Sequence, residues 1–101
     1  MSIEQIINEA STLSDVPVSE ILGRKKTDEV NEVRQFVCWR AYREGHTYSS
    51  IGKVLGRSHS AVINGVKQFY NRIETNQTRL SIKVYENIHG EEKKILYQWK
   101  S

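Results

Sequence analysis

Apolar residues recur at helical spacing along most of this sequence, and no stretch alternates apolar and polar residues over a strand's length. The clearest pattern lies over residues 59–73, where Val62, Val66, Phe69 and Ile73 occupy positions i, i+4, i+7 and i+11. This spacing places all four side chains on one face of a helix. The pattern therefore predicts an all-α protein whose core is built from helix faces.

Capping residues and glycines divide the periodic pattern into separate helices. Thr27, Thr47 and Ser58 each precede a helical stretch, where a hydroxyl accepts a hydrogen bond from a free amide of the first turn. Gly45 and Gly56 stand where two of these stretches end, a position that glycine often occupies. We expect a compact bundle of about six helices, over residues 3–12, 18–22, 28–44, 48–55, 59–75 and, split by Gly90, 76–101.

The net charge of +3 is distributed unevenly along the chain. Residues 1–22 contain four acidic residues and no basic one, whereas residues 23–79 contain eleven basic and five acidic residues. A basic middle segment suits a polyanion such as nucleic acid. Because Asp28, Glu29 and Glu32 interrupt it, an ordinary solvated face is the alternative interpretation.

Several classes of function lack the residues that they need. Cys38 is the one cysteine, the three histidines show no spacing typical of a metal site, and no nucleophile stands beside a base. The nucleotide-binding loop Gly-x-x-x-x-Gly-Lys-Ser/Thr is absent from the sequence. We therefore expect no enzyme, no catalytic residues, no metal, no cofactor and no nucleotide.

The sequence also predicts where the protein is found. No apolar run approaches the ~20 residues of a membrane span, and the N-terminus lacks the basic and apolar regions of a signal peptide. A single cysteine cannot form an internal disulfide, which favours a reducing compartment. We expect a cytoplasmic protein without a membrane partner.

The stretch most informative about function is 47–70, where a short capped helix, a glycine and a longer capped helix follow one another. This is the layout of a helix-turn-helix, whose second helix enters the major groove of DNA. Arg57, Ser58, His59 and Ser60 cluster at the start of the second helix, where free amides and the helix dipole attract phosphate. The stretch therefore predicts binding to duplex DNA.

These residues also carry a family resemblance. The segment Gly-Arg-Ser-His-Ser-Ala-Val-Ile at 56–63, with Val-Arg-Gln at 33–35 and Ile-Gly-Lys-Val-Leu at 51–55, resembles the C-terminal DNA-binding domain of the bacterial replication initiator DnaA. That family's signature runs Gly-Arg-Asp-His-(Ser/Thr)-Thr-Val. The resemblance implies a Trp-repressor-like helical fold and one domain over 1–101. Residues 3–75 would form the family-like core and 76–101 an additional C-terminal helical segment.

The resemblance implies five contacts with the sugar-phosphate backbone. Arg34 would hold a phosphate from the long helix, and Tyr48 and Ser49 would face the backbone from the start of the next helix. Arg57 would stand at the backbone or the groove wall, and Lys67 further along it. These residues would position the domain on DNA without reading its sequence.

The resemblance also implies contacts inside the grooves. His59 and Ser60 would meet base edges in the major groove, and Lys25 and Lys26 would lie close to the minor groove. A solvated loop is an equally good interpretation of the basic run 24–26. The family therefore implies sequence-specific recognition of double-stranded DNA.

Three positions depart from the family's pattern. The signature aspartate is Ser58, its second threonine is Ala61, and Asp28 stands where the family has an arginine for the minor groove. Such changes cost ~1–3 kcal/mol at each affected base pair. We expect DNA binding to survive them and recognition of the family's usual sequence to change.

Two functional interpretations remain open. A DNA reader without the family's ATPase module, as on a phage or mobile element, would act as a regulator of replication or transcription. A protein-interaction module with the same fold would instead modulate a host initiator or polymerase, and host replication proteins would then be its partners. Asp28, Ser58 and Ala61 favour the second interpretation, and the basic residues favour the first.

Overall fold

The computed structural model describes residues 1–75, and over this range the chain forms five helices and no strand. The all-α class is confirmed, and the predicted segment 76–101 lies outside the described residues. None of the helices within residues 1–75 is long and apolar enough to cross a membrane. The helices are α1 (Ile3–Ser14), α2 (Val18–Leu22), α3 (Asp28–Arg43), α4 (Tyr48–Leu55) and α5 (His59–Glu74).

Side-chain caps fix the starts of four of these helices. The hydroxyls of Thr27, Thr47 and Ser58 accept hydrogen bonds from amides in the first turns of α3, α4 and α5, at 3.3, 3.1 and 3.1 Å, which confirms the three predicted caps. Ser2 and Gln5 form a reciprocal capping box at the start of α1, which the sequence analysis did not identify. Local hydrogen bonding therefore sets where the helices begin.

Helix α3 lies at the centre and packs against all four other helices. Its Phe36 and Trp39 form an aromatic cluster with Phe69 of α5, with ring centroids 5.2 to 6.0 Å apart. The predicted stripe of α5 is confirmed, since Val62, Val66 and Phe69 are buried and Ile73 is partly buried against the core. Burial of these apolar faces holds the opposite face of α5 in a fixed orientation.

A polar network also joins α3 to α5. The carboxylate of Glu32 is fully buried and lies 3.1 Å from Nη1 of Arg72. Arg72 Nε donates to the side-chain oxygen of Gln35 at 2.7 Å, and the amide of Gln35 donates to Gln68 at 2.7 Å. The network ties the C-terminal half of α5 to α3.

Helix α5 approaches α3 closely at Gly65. A Cβ built on Gly65 would lie 3.1 Å from the Sγ atom of Cys38, so the absence of a side chain allows the contact. This confirms that the glycine inside the predicted recognition helix serves helix packing. Burial raises the pKa of the Cys38 thiol to about 12, so the thiol stays protonated and poorly nucleophilic at neutral pH.

The buried thiol makes stability depend on alkaline pH. A cysteine in the unfolded chain has a pKa of about 8.5, so above that pH the unfolded state loses a proton that the folded state keeps. The stabilisation is full below pH 8.5 and is lost as the pH rises toward the folded pKa of about 12. Between pH 7.5 and 9.5 we expect the free energy of unfolding to fall by about 1 kcal/mol from this group.

Urea unfolding at the two pH values measures this effect. Cys38→Ala is the control, because other groups that titrate in this range contribute equally to both proteins. The difference in pH dependence between wild type and variant isolates the thiol. Parallel losses of stability in the two proteins would contradict the prediction.

Candidate nucleic-acid interface

Helices α4 and α5 form a helix-turn-helix with a three-residue connection, 56–58. Gly56 adopts the left-handed conformation, with φ of 66°, and ends α4. The turn folds back on α4, because the amide of Arg57 donates to the carbonyl of Gly52 at 2.9 Å. A Cβ on Gly52 would lie only 2.6 Å from the carbonyl oxygen of Arg57, so this close packing depends on glycine.

The start of α5 is open to solvent. Ser58, His59, Ser60 and Ala61 are all exposed. Further along the helix, an exposed polar stripe lies opposite the buried apolar one and repeats its spacing. This exposed stripe consists of Ser60, Asn64, Lys67 and Asn71. Hydrogen-bonding groups therefore line the whole outer face of α5.

His59 contacts one of two stacked tyrosine rings. The rings of Tyr42 and Tyr48 stack at a centroid distance of 4.6 Å with an interplanar angle of 2°, and the rings of Tyr48 and His59 pack edge to face with centroids 5.5 Å apart. A hydrogen bond with Tyr42 raises the pKa of Tyr48 to about 12, so the phenol of Tyr48 stays neutral at physiological pH. This contact places the imidazole beside the start of α4.

An open pocket of about 620 Å³ lies beside this stack, at the N-terminus of α4. Ser49 is exposed at its edge, and Arg43, His46 and His59 contribute basic groups to its walls. Free amides of a helix N-terminus next to basic side chains can hold a phosphate. The fold therefore brings Tyr48 and Ser49, which were predicted to contact the sugar-phosphate backbone, close to His59.

Arg34 occupies a different environment from the one predicted. Its side chain is buried, and all five of its N–H donors are engaged by residues of the protein itself. Burial, followed by the charge of Arg57, lowers the pKa of Arg34. Arg34 thus holds the surrounding main chain in place through hydrogen bonds. Its acceptors are the carbonyls of Glu20, Ile21, Gly23 and Lys25 and the side chain of Asn31.

The segment that Arg34 organises is the basic loop, defined as residues 23–27. Lys25 forms an exposed ion pair with Glu20 at 2.9 Å, an interaction of little energy in water that a phosphate can replace. Lys26 and Arg24 instead line a pocket of about 380 Å³ with Arg57, Arg34 and Asn31. The structure therefore separates the two predicted lysines, since only Lys26 faces this pocket.

Arg57 connects the basic loop to the helix-turn-helix. Its Nη2 donates to the carbonyl of Gly23 at 2.7 Å, across 34 residues of sequence. It also lines a second pocket of about 250 Å³, together with Ala61 and Asn64 of α5. Arg57 thus lies between the basic loop and the exposed stripe.

The comparison with protein families agrees with this geometry. The family model of the bacterial DnaA protein helix-turn-helix matches residues 3–68 of the 101-residue chain. The chain belongs to the DnaA helix-turn-helix family. The resemblance inferred from the sequence is confirmed, and the family is one of DNA-binding domains, not of catalytic ones. No curated protein and no solved structure matches the chain.

In this DnaA helix-turn-helix, the structure adds residues that motif reasoning did not assign to the site. Asn31 and Gln68 line the pocket beside Arg57, and Asn71 extends the exposed stripe. The spacing of Asn64, Gln68 and Asn71 was a usable signal, because all three fall on the side of α5 away from its apolar stripe. Asn31 carried no such signal, since only the packing of α3 brings it to the pocket.

Proposed function

We propose that this protein binds double-stranded DNA sequence-specifically and acts as a regulator of replication or transcription. Helix α5 would lie in the major groove, with His59 and Ser60 at base edges. The start of α4 would meet one backbone strand, and the basic loop would approach the minor groove. The protein would need no nucleotide for this binding.

The observation that carries the proposal is the exposed, supported start of α5 within a DnaA-family helix-turn-helix. The apolar stripe holds α5 against α3, and the ring of Tyr48, stacked on Tyr42, packs against the imidazole of His59. Pre-positioned groups at a helix N-terminus lose little conformational freedom on binding. The basic residues around the site supply the electrostatic attraction that DNA binding requires.

Ser58 supports a sequence preference that differs from the family signature. Its oxygen caps α5 by accepting from the amide of Ala61 at 3.1 Å, and its hydroxyl hydrogen remains available to donate. An aspartate at this place would be an acceptor suited to the amino group of cytosine. A donating hydroxyl instead suits the acceptors of guanine or thymine, so the preferred base at this position should change.

Selection of bound duplexes from a random pool tests the proposal, followed by binding measurements on the recovered sequence at several salt concentrations. We expect a defined sequence to be enriched and affinity to fall steeply with salt, because neutralised phosphates release counterions. His59→Ala should relax the preference at one or two base pairs. Lys67→Met should weaken all sequences alike and reduce the salt slope by about 1.

Lys67→Arg is the matched control, because it keeps the charge and should keep the salt slope. Failure to retain any duplex at low salt would contradict the proposal and favour the second candidate, a protein-interaction module. Asp28 favours that candidate, since it is exposed at the start of α3, directly after the basic loop. Retention of duplex without enrichment of any sequence would contradict the sequence-specific part alone.

A further inference from the structure

The carbonyl group of Gly23 links the basic loop to α3 and to the turn that precedes α5. The oxygen of Gly23 accepts from Nη2 of Arg34 and from Nη2 of Arg57, each at 2.7 Å. A carbonyl oxygen has two lone pairs, so these two bonds saturate it. Arg34 approaches from α3, and Arg57 approaches from the turn that starts α5. We call this pair of bonds the Gly23 clamp.

The Gly23 clamp places two cations against each other, which carries an electrostatic cost. The charge of Arg57 contributes to lowering the pKa of Arg34. Arg24 and Lys26 add two further positive charges around the same pocket of about 380 Å³, whose remaining lining residue is the neutral Asn31. A structure that concentrates charge in this way is suited to an anion in the pocket.

The position of the pocket indicates which part of DNA would lie there. The basic loop forms one side of it, and Arg57, directly before the start of α5, forms the other. On a duplex, one sugar-phosphate strand separates a major groove from the adjacent minor groove. A protein that reads both grooves must therefore straddle that strand at a fixed spacing.

We propose that the Gly23 clamp sets this spacing, and that Arg57 is a positioning residue that joins the basic loop and the recognition helix into one two-groove reader. This inference rests on the proposed function. Arg34 holds the loop backbone in shape, and Arg57 fixes the loop relative to α5. Without the bond from Arg57, the loop loses its connection to the turn, and its minor-groove contacts become weaker while those of α5 persist.

Dimethyl sulfate footprinting on the selected duplex tests the proposal, because the reagent methylates guanine N7 in the major groove and adenine N3 in the minor groove. The variants are Arg57→Met and, as a control with the same loss of charge outside the proposed interface, Lys53→Met, at an exposed lysine in the last turn of α4. At saturating protein, we expect Arg57→Met to protect guanine N7 as wild type does. Its protection of adenine N3 should be at least threefold weaker than that of wild type. Lys53→Met should retain both protections.

Limited trypsin digestion tests the Gly23 clamp without DNA. The basic loop contains three trypsin sites, after Arg24, Lys25 and Lys26. We expect Arg57→Met to be cut there at least threefold faster than Lys53→Met. Cleavage after Arg40, whose side chain is buried within α3, measures global unfolding in the same samples and should be equal in the two variants.

The outcomes separate the two proposals. Equal loop cleavage in the two variants overturns the Gly23 clamp, and so does an Arg57→Met footprint that keeps both protections or loses both. A wild-type protein that retains no duplex contradicts the proposed function, and with it the two-groove reader, while the digestion still decides whether Arg57 holds the loop.

Discussion

Arg72→Met lowers the free energy of unfolding by about 3 kcal/mol, as expected when one partner of a buried ion pair is removed. The fully buried carboxylate of Glu32 lies 3.1 Å from the Arg72 guanidinium. Methionine keeps much of the volume of the side chain but removes the positive charge beside the buried carboxylate, so the cost of burying that carboxylate is less well compensated. Urea denaturation followed by circular dichroism measures the loss.

The double variant Glu32→Gln with Arg72→Met is the matched control. It removes both charges, and replacing a buried pair by neutral groups costs far less than breaking it. We therefore expect the double variant to recover more than half of the stability that Arg72→Met loses. If the two substitutions act independently, the double variant will be less stable than Arg72→Met by the full cost of Glu32→Gln alone. That result would contradict the proposed contribution of the ion pair.

Gly52→Ala reduces affinity for the selected duplex more than tenfold and lowers the free energy of unfolding by about 2 kcal/mol. Alanine favours a helix by about 1 kcal/mol over glycine, but its Cβ would lie 2.6 Å from the carbonyl oxygen of Arg57. Because that atom belongs to the backbone, it cannot rotate away, and overpacking of this kind costs about 1–3 kcal/mol or more. The turn must move, and the start of α5 moves with it.

Gly65→Ala is the control for the same substitution in a helix. Its Cβ would meet the Cys38 side chain at 3.1 Å, a neighbour that can shift by a few tenths of an ångström. We expect its stability to stay within about 1 kcal/mol of wild type, because the gain in helix propensity offsets the tighter contact. Urea unfolding and electrophoretic mobility shifts compare the two variants. Equal stability and affinity for Gly52→Ala and Gly65→Ala would show that the turn is not set by close packing at Gly52.

Sequence patterns were sufficient for the parts of the fold that depend on neighbours in the chain. The caps at Thr27, Thr47 and Ser58 bond to amides three residues away, so local chemistry determines them. The apolar stripe of α5 follows equally from spacing. For this reason, both the extent of the helix-turn-helix and the exposure of its second helix were predictable.

Interactions between distant residues were not predictable in the same way. Arg34 was expected at a phosphate, since an arginine on a basic segment carries no sign of burial, but its carbonyl acceptors lie 9 to 14 residues away. The bond from Arg57 to Gly23 spans 34 residues, and the ion pair of Arg72 with Glu32 spans 40. Only the packing of α2, α3 and α5 brings these groups together.

The environment of Arg34 has a consequence for how the protein can evolve. The shape of the basic loop is held by main-chain carbonyls that bond to an arginine outside the loop. Those bonds do not depend on which side chains residues 24–26 carry. Mutations in this loop can therefore alter which DNA sequences are preferred while the scaffold stays intact, so new binding preferences can arise in descendants without a loss of foldability.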